Sequence, residues 1–255
     1  MAAELPTVLV LTPIKDGAAC VDSYCDLLDA LTYPRDRLSV GLLEGDSRDA
    51  SYSAFQGVLP RLARGRRRAQ LWKRDFGFHT PLGLPRWAPQ IQVQRRATVA
   101  RARNHLLLHA LDDEQWVLWI DVDVIEYPPD VIERFLSAQR RILHPHCLRA
   151  REDITFDLNA WRDQGRLHME DLRSEGDLVR LDAVGGTMLW VDADLHRDGL
   201  IFPAFPYGAG SRTIRRPSPF GVPGELDTEG FGVLATDMGQ QCWGMPGLVI
   251  RHRDG

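Results

Sequence analysis

The sequence predicts an α/β fold in which helices cover a central sheet, and three observations carry that prediction. Short β-branched apolar runs alternate with segments of helical periodicity through the first half of the chain. The runs end in acids, Gly or Pro, as strands do where they hand over to loops. The chain has 255 residues, 44% of them hydrophobic, enough for one large domain with a core of its own.

Each element follows in order. "TVLVLTPIKD" predicts a buried parallel strand ending at Thr12 and Pro13. "ACVDSYCDLLDALTYP" has apolar residues at helical spacing and stops at Pro34. "RLSVGLLEGDSRD" is a second strand ending in Glu44, Gly45 and Asp46. "SAFQGVLPRLARGRRR" reads as a helix despite Pro60, and "AQLWKRDFG" as a third strand. Strand, helix, strand, helix, strand predicts parallel neighbours joined by right-handed crossovers. "HTPLGLPRWAPQIQ" is a loop, "RRATVARARNHLLLHALDDE" an amphipathic helix and "WVLWIDVDV" a central strand. "PPDVIERFLSAQRR" predicts a helix with Pro in its first turn. "LVRLDAVGGTMLWVDADLHRDG" predicts two strands around a Gly-Gly turn. Residues 207–224 are rich in Pro and Gly and predict a mobile loop. "DTEGFGVLATDMGQQ" is a helix, and "CWGMPGLVIRH" a last strand. The single domain is expected to divide into two halves, 1–125 and 126–255, the second carrying the 207–224 loop.

Composition excludes several classes. The net charge of -4 provides no global basic field for nucleic acid. The run "RLARGRRRAQLWKR" is locally basic. It reads either as a solvated helix face or as a landing patch for an anionic partner. The four cysteines, Cys20, Cys25, Cys147 and Cys242, show no CxxC spacing, which argues against a zinc knuckle. Neither a charged-then-apolar leader nor an apolar run of membrane-spanning length occurs, so the chain as given is expected to be soluble.

The chemistry gathers where strands end, since ligands of open α/β sheets bind at the carboxyl edge. Trp116 to Ile120 form an apolar run that delivers Asp121 and Asp123, flanking Val122, to that edge. Two carboxylates so close repel unless a cation joins them, and hard oxygen ligands suit magnesium or manganese. A bound cation would bridge a diphosphate. The alternative is a solvated strand end or a cap for the next helix. A phosphatase with a nucleophilic Asp-x-Asp uses the same letters, but carries them on its first strand with a later Lys. Arg101 and Arg103 lie on the helix before the strand, able either to pair with core acids or to neutralise diphosphate. Glu229 opens a helix after the long loop, as a capping carboxylate or as a group that polarises an acceptor hydroxyl. His252, at the end of the last strand, is either a lone surface histidine or a third metal ligand.

These segments, in this order, resemble the fungal mannan polymerase mannosyltransferases of glycosyltransferase family 62. The resemblance rests on "RRATVARARNHLLLHAL", "WVLWIDVDVIEYPPDVI", "FDLNAWRD", "LDAVGGTMLWVDADLHRDGLIFPAFP", "DTEGFG" and "GMPGLVIRH", with "LVLTPIKD" and "LLEGDS" upstream. It implies a GT-A fold, a Rossmann-like mixed sheet flanked by helices. It also implies metal-dependent, retaining transfer of mannose from GDP-mannose to a glycan or other hydroxyl acceptor. Asp121, Asp123 and His252 would hold Mn2+ or Mg2+. Thr12, Pro13, Glu44, Gly45, Asp46, Val122, Arg101 and Arg103 would line the nucleotide and phosphate side. Asp157, Asn159, Gly185, Gly186 and Glu229 would line the sugar and acceptor side. Glu229 and Arg103, with the two aspartates, would form the catalytic set. The family's members sit in the Golgi behind a membrane anchor and assemble into complexes, so self-association or assembly with other subunits is expected. The prevalence of Arg over Lys suggests a bacterial relative, which would be cytoplasmic. The rival reading is a nucleotide-sugar-binding scaffold subunit without turnover.

Overall fold

In the computed structural model, which describes residues 4–253, the elements run as follows. They are β1 (Val8–Ile14), α1 (Val21–Asp29), β2 (Leu38–Glu44), α2 (Ser51–Ala63), β3 (Arg68–Lys73), α3 (Pro89–Ala110), β4 (Trp116–Ile120) and β5 (Val124–Glu126). After these come α4 (Val131–Ser137), β6 (Ile142–Arg149), β7 (Trp161–Arg162), β8 (Leu167–His168), β9 (Val179–Leu181), β10 (Met188–Asp192), α5 (Ala193–Arg197), α6 (Asp227–Asp237) and β11 (Cys242–His252). The main sheet runs β3-β2-β1-β4-β10-β6-β11-β5, with β9 paired to β11. Its first four strands are parallel, as the alternation predicts. β10 then runs antiparallel to both β4 and β6, which makes the sheet mixed.

Alternation along β4 explains why the sheet is covered on both faces. Leu118 and Ile120 join one core with Tyr24 of α1, Phe55 of α2 and Phe135 of α4. Val117 and Trp119 point the other way, to Leu106 and Leu107 of α3 and Phe231 of α6. A strand buried on both faces must be apolar at every position, which is the pattern of "WVLWI". The apolar stripe of α3 is densest in its last turns, at Leu106, Leu107 and Ala110. Nearer the strand ends its buried face carries Gln92, Thr98 and Arg103 instead.

The structure sharpens several local readings. Pro128 and Pro129 precede the N-cap Asp130 of α4 rather than entering its first turn. The two strands around Gly185 and Gly186 are present as β9 and β10, but β9 pairs with β11 while β10 inserts between β4 and β6. Much of the basic run is engaged in ion pairs, while Arg64 stays exposed. Arg61 and Arg66 bond Asp29, Arg67 bonds Asp113 and Arg68 bonds Glu114. Those pairs stitch α1, α2 and β3 to the loop before β4. Finally, β6 was not expected as a strand, because Pro145 removes a ladder donor. It is tolerated beside a register shift in β11 between Met245 and Val249, where Pro246 and Gly247 bulge away. The four cysteines are free and buried.

His196 supports β4 from the α5 side and gives the fold an acid-sensitive point. Its Nδ1 lies 2.6 Å from the Leu200 carbonyl, and Trp119 Nε1 donates to its Nε2 at 3.3 Å. Since indole only donates, the imidazole is held neutral. Burial drives its pKa from 6.5 down to about 4. The unfolded chain therefore takes up a proton that the native one refuses, and stability falls as pH drops from 6.5 towards 4. The expected loss from this group is about 2 kcal/mol by pH 5, approaching about 3 kcal/mol near pH 4. Denaturant melts at pH 7 and pH 5 check it. Equal acid dependence in the native protein and in His196→Gln would overturn the assignment.

Candidate active site

Asp121 and Asp123 occupy a tight turn between β4 and β5, closed by Val124 N donating to the Asp121 carbonyl at 3.2 Å. Asp121 N donates to Thr187 O at 2.9 Å, which fixes the turn to the start of β10. β11 ends beside β5, with His252 opposite Val124, and this brings the imidazole to the same turn. His252 Nε2 is 2.8 Å from Asp123 Oδ1. One ligand atom each from Asp121, Asp123 and His252 lie within 4.8 Å of one another. Nδ1 donates to the Arg253 carbonyl at 2.6 Å, and Phe156 stacks on the ring at 3.9 Å. That anchoring leaves Nε2 aimed into the turn, the arrangement that a metal-binding histidine needs. Two carboxylate oxygens and one imidazole nitrogen suit a hard or borderline divalent cation.

Electrostatics support the same reading. Burial, then the Asp123 charge, outweigh Arg103 and push Asp121 up to about 6. Burial also opposes the charge on Asp123, but the His252 bond outweighs it and holds that carboxyl below its usual range. His252 is correspondingly raised, with Asp123 outweighing burial. A carboxylate kept desolvated beside a second one is costly unless a cation completes the site.

Arg103 reaches the turn from α3. Its Nη1 binds both oxygens of Asp227, at 2.7 and 2.6 Å, and Nη2 stands 3.4 Å from Asp121 Oδ1. Asp227 opens α6 with a φ of 53°, a left-handed conformation uncommon outside glycine and worth notice at a site. Gly186 is required beside this arginine, because a Cβ there would lie 2.3 Å from Arg103 Nη2.

Asp157 organises the far wall. Its Oδ2 accepts from Gly186 N at 2.9 Å, Thr187 N at 3.1 Å and Thr187 Oγ1 at 3.0 Å, and its Oδ1 from Asn159 N at 3.1 Å. Burial raises this carboxyl, yet His144 and the donors outweigh it and hold it well below the usual range. His144 Nε2 lies 3.5 Å away.

The resulting cavity encloses about 430 Å³. Pro13, Gly45, Asp46, Val122, Asn159 and Gly186 line it together with Arg103, Asp121, Asp123, Asp157 and His252. The other expected residues stand back. Thr12 is fully buried and bonds Tyr24 Oη at 2.8 Å. Glu44 is buried under the loop, where it accepts from Ser47 N at 3.3 Å. Arg101 is exposed and bonds Ala97 and Thr98 of its own helix. Gly185 lies behind the wall against Asp157 and His144. Glu229 is fully buried and outside the cavity lining, in ion-pair contact with Arg96 and, at 2.6 Å, with Arg215. The segment 207–224 is tied to this network, since Arg215 also binds Glu225 and Phe220 lies 4.6 Å from the Arg96 guanidinium.

A family model described as Anp1 matches residues 2–169 and 163–206. The chain belongs to the Anp1 family. Mannan polymerase complex subunit mnn9 of Schizosaccharomyces pombe is 26% identical over 287 residues, covering 97% of this chain and 80% of the relative. Mannan polymerase II complex anp1 subunit of the same yeast is 25% identical over 292 residues, covering 96% of this chain and 63% of the relative. Among solved structures, mannosyltransferase PcManGT from Pyrobaculum calidifontis, in complex with GDP-Man and Mn2+, is similar with a TM-score of 0.58. The identity is 16%, over 98% of this chain and 57% of that one. The likeness shows the fold, which is GT-A. No helix among the described residues is long and apolar enough to cross a membrane.

Within this Anp1-family site, sequence reasoning missed Arg86, Arg95, Arg96 and Asp227 as lining residues. Helical phase holds the signal for part of that set. Gln92, Arg95, Arg96, Val99 and Arg103 recur at the spacing of one α-helical face, whereas Arg101 falls on the opposite side. Asp227 carried no such signal, because its place depends on Arg103 reaching it across the fold.

Proposed function

We propose that the chain is a retaining glycosyltransferase that moves mannose from GDP-mannose to a glycan or another hydroxyl acceptor. The observation that carries this reading is the Asp121–Asp123–His252 triad at the carboxyl edge of the GT-A sheet. The triad would hold Mn2+ or Mg2+, whose charge stabilises the departing diphosphate when it is bound. Arg103, fixed by Asp227, sets the position of Asp121 and lends positive charge to the floor. The wall built by Asp157, with Gly186 and Thr187, faces the sugar. Among the described residues no cavity carboxylate is free to attack the anomeric carbon, Asp46 being bound by three backbone N–H groups. Asp227 is held by Arg103, Asp157 by four donors, and the Asp-x-Asp pair by the metal position. The acceptor oxygen would therefore attack from the face that the diphosphate leaves, and its proton would pass to a departing phosphate oxygen. That path retains configuration without a protein nucleophile. Glu229, screened from the cavity, would support its wall by holding Arg96 and Arg215 in place.

Thermal stabilisation by GDP, UDP, ADP and CDP, each with and without Mn2+, tests the donor. Binding to the native state raises the melting temperature by mass action. A shift with GDP that requires Mn2+, followed by turnover of GDP-mannose, is the expected result. A shift with UDP alone would remove mannose as the donor sugar. The relatives' names favour a second reading, a nucleotide-sugar-binding subunit of a complex. Nucleotide-dependent stabilisation without transfer would support it.

A further inference from the structure

The cavity lining carries five cationic and five anionic side chains. Most are already matched. Arg103 is neutralised by Asp227 and Asp121, and Arg96 by Glu229. Lys15 stands 3.5 Å from Asp16. Arg86 and Arg95 have no ion pair among the described residues, although both line the cavity. They are near one another as well, since burial and then the Arg86 charge make Arg95 easier to deprotonate. Arg95 is half-buried and Arg86 exposed at the cavity rim, and two unmatched guanidinium groups lining one cavity repel each other unless an anion joins them.

Arg86 is also held in place by its backbone. It belongs to the segment between β3 and α3, whose residues Phe78 and Ala88 form a small apolar cluster with Ile91. The Asp46 carboxylate accepts from Phe76 N at 3.1 Å, Gly77 N at 2.9 Å and Phe78 N at 3.4 Å. Asp46 itself adopts a φ of 58° to do so. Gln92 Nε2 then donates to the Arg86 carbonyl at 2.7 Å. Asp46, expected to touch a nucleotide directly, thus spends its carboxylate on pinning the segment that presents Arg86.

A divalent cation on the triad would offset the Asp121 and Asp123 charges and leave Arg86 and Arg95 as the two cavity cations without an ion-pair partner among the described residues. The diphosphate linkage of a sugar nucleotide is doubly anionic and closes that balance. We propose that Arg86 and Arg95 form an anion clamp that grips the donor diphosphate beside the Asp121–Asp123–His252 triad. The assignment rests on the reading of this cavity as a sugar-nucleotide site. Guanidinium groups suit it because their forked donors match phosphate oxygens two at a time.

Titration calorimetry of the full chain with Mn2+–pyrophosphate, and separately with Mn2+–GDP, tests the clamp independently of sugar and acceptor. Arg86→Gln and Arg95→Gln are each expected to weaken pyrophosphate about tenfold or more, as loss of a charge-assisted bond does. Arg64→Gln, on the exposed end of α2, should bind as the native protein does. Arg95 has no ion pair to lose, so its variant is expected to keep the native melting temperature. Affinities of both variants within about twofold of native would overturn the clamp, with any observed sugar transfer left standing. Loss of pyrophosphate binding in the variants, with no transfer by the native chain, would uphold the clamp and remove the transferase reading. A native chain that binds neither ligand would overturn both.

Discussion

Asp121→Asn is expected to lower sugar transfer by about a thousandfold or more, the scale set by removing a preorganised charge from a transition state. The variant should keep its fold. Asp121 is half-buried at the end of β4 and repelled by Asp123, a cost that Arg103, 3.4 Å away, and His252 only partly offset. Asparagine is isosteric and neutral, so the ligand-free melting temperature should hold or rise. Mn2+-dependent stabilisation by GDP should disappear at the same time. The two readouts separate chemistry from folding. Retained turnover would sink the placement of the metal, whereas a collapsed melting temperature would mean that the carboxylate is structural.

Gly185→Ala should be the most damaging small change in the wall. A Cβ at Gly185 would meet Asp157 Oδ2 at 2.0 Å and His144 Nε2 at 2.4 Å, both on buried side chains. Neither can retreat. Asp157 is fixed by donors from Gly186, Thr187 and Asn159, and displacing it leaves those N–H groups unmet. Overpacking and lost hydrogen bonds together are expected to cost roughly 4 kcal/mol. For a chain of this size that lowers the melting temperature by roughly 8–16 °C. Gly57→Ala provides the contrast, since it sits in α2 with nothing within 4 Å of the added carbon. There alanine should stabilise by roughly 0.5–1 kcal/mol through helix propensity. A Gly185→Ala protein that melts with the native one would show that the wall gives way more easily than its hydrogen bonds imply.

The contrast between Asp121 and Arg101 shows what the sequence could and could not convey. Apolar runs bounded by acids announce buried strands and their ends, so β1 to β4 and the Asp-x-Asp turn were legible. The sequence left His252 open between a surface histidine and a third ligand, because nothing local reveals that β11 returns beside β5. Arg101 and Arg103 look equivalent in the text, yet they face opposite sides of α3, and only the phase of the helix tells them apart. The placement of Glu229 under Arg96, and of Asp227 against Arg103, depends on contacts between distant segments. β6 was hidden for a different reason. Its proline contradicts the local rule for central strands, and the compensating bulge lies about 100 residues away in β11.

β11 also bears on how the molecule must fold. It pairs with β6, β9 and β5 and carries His252 to a turn formed about 130 residues earlier. Contacts that span such separations form late, because loop closure must be met before they return any free energy. The parallel strands β1 to β4 can assemble without β11, but the Asp121–Asp123–His252 cluster cannot. Metal affinity should therefore lag behind the recovery of secondary structure during refolding. The rate at which Mn2+ binding reappears would time the docking of that last strand.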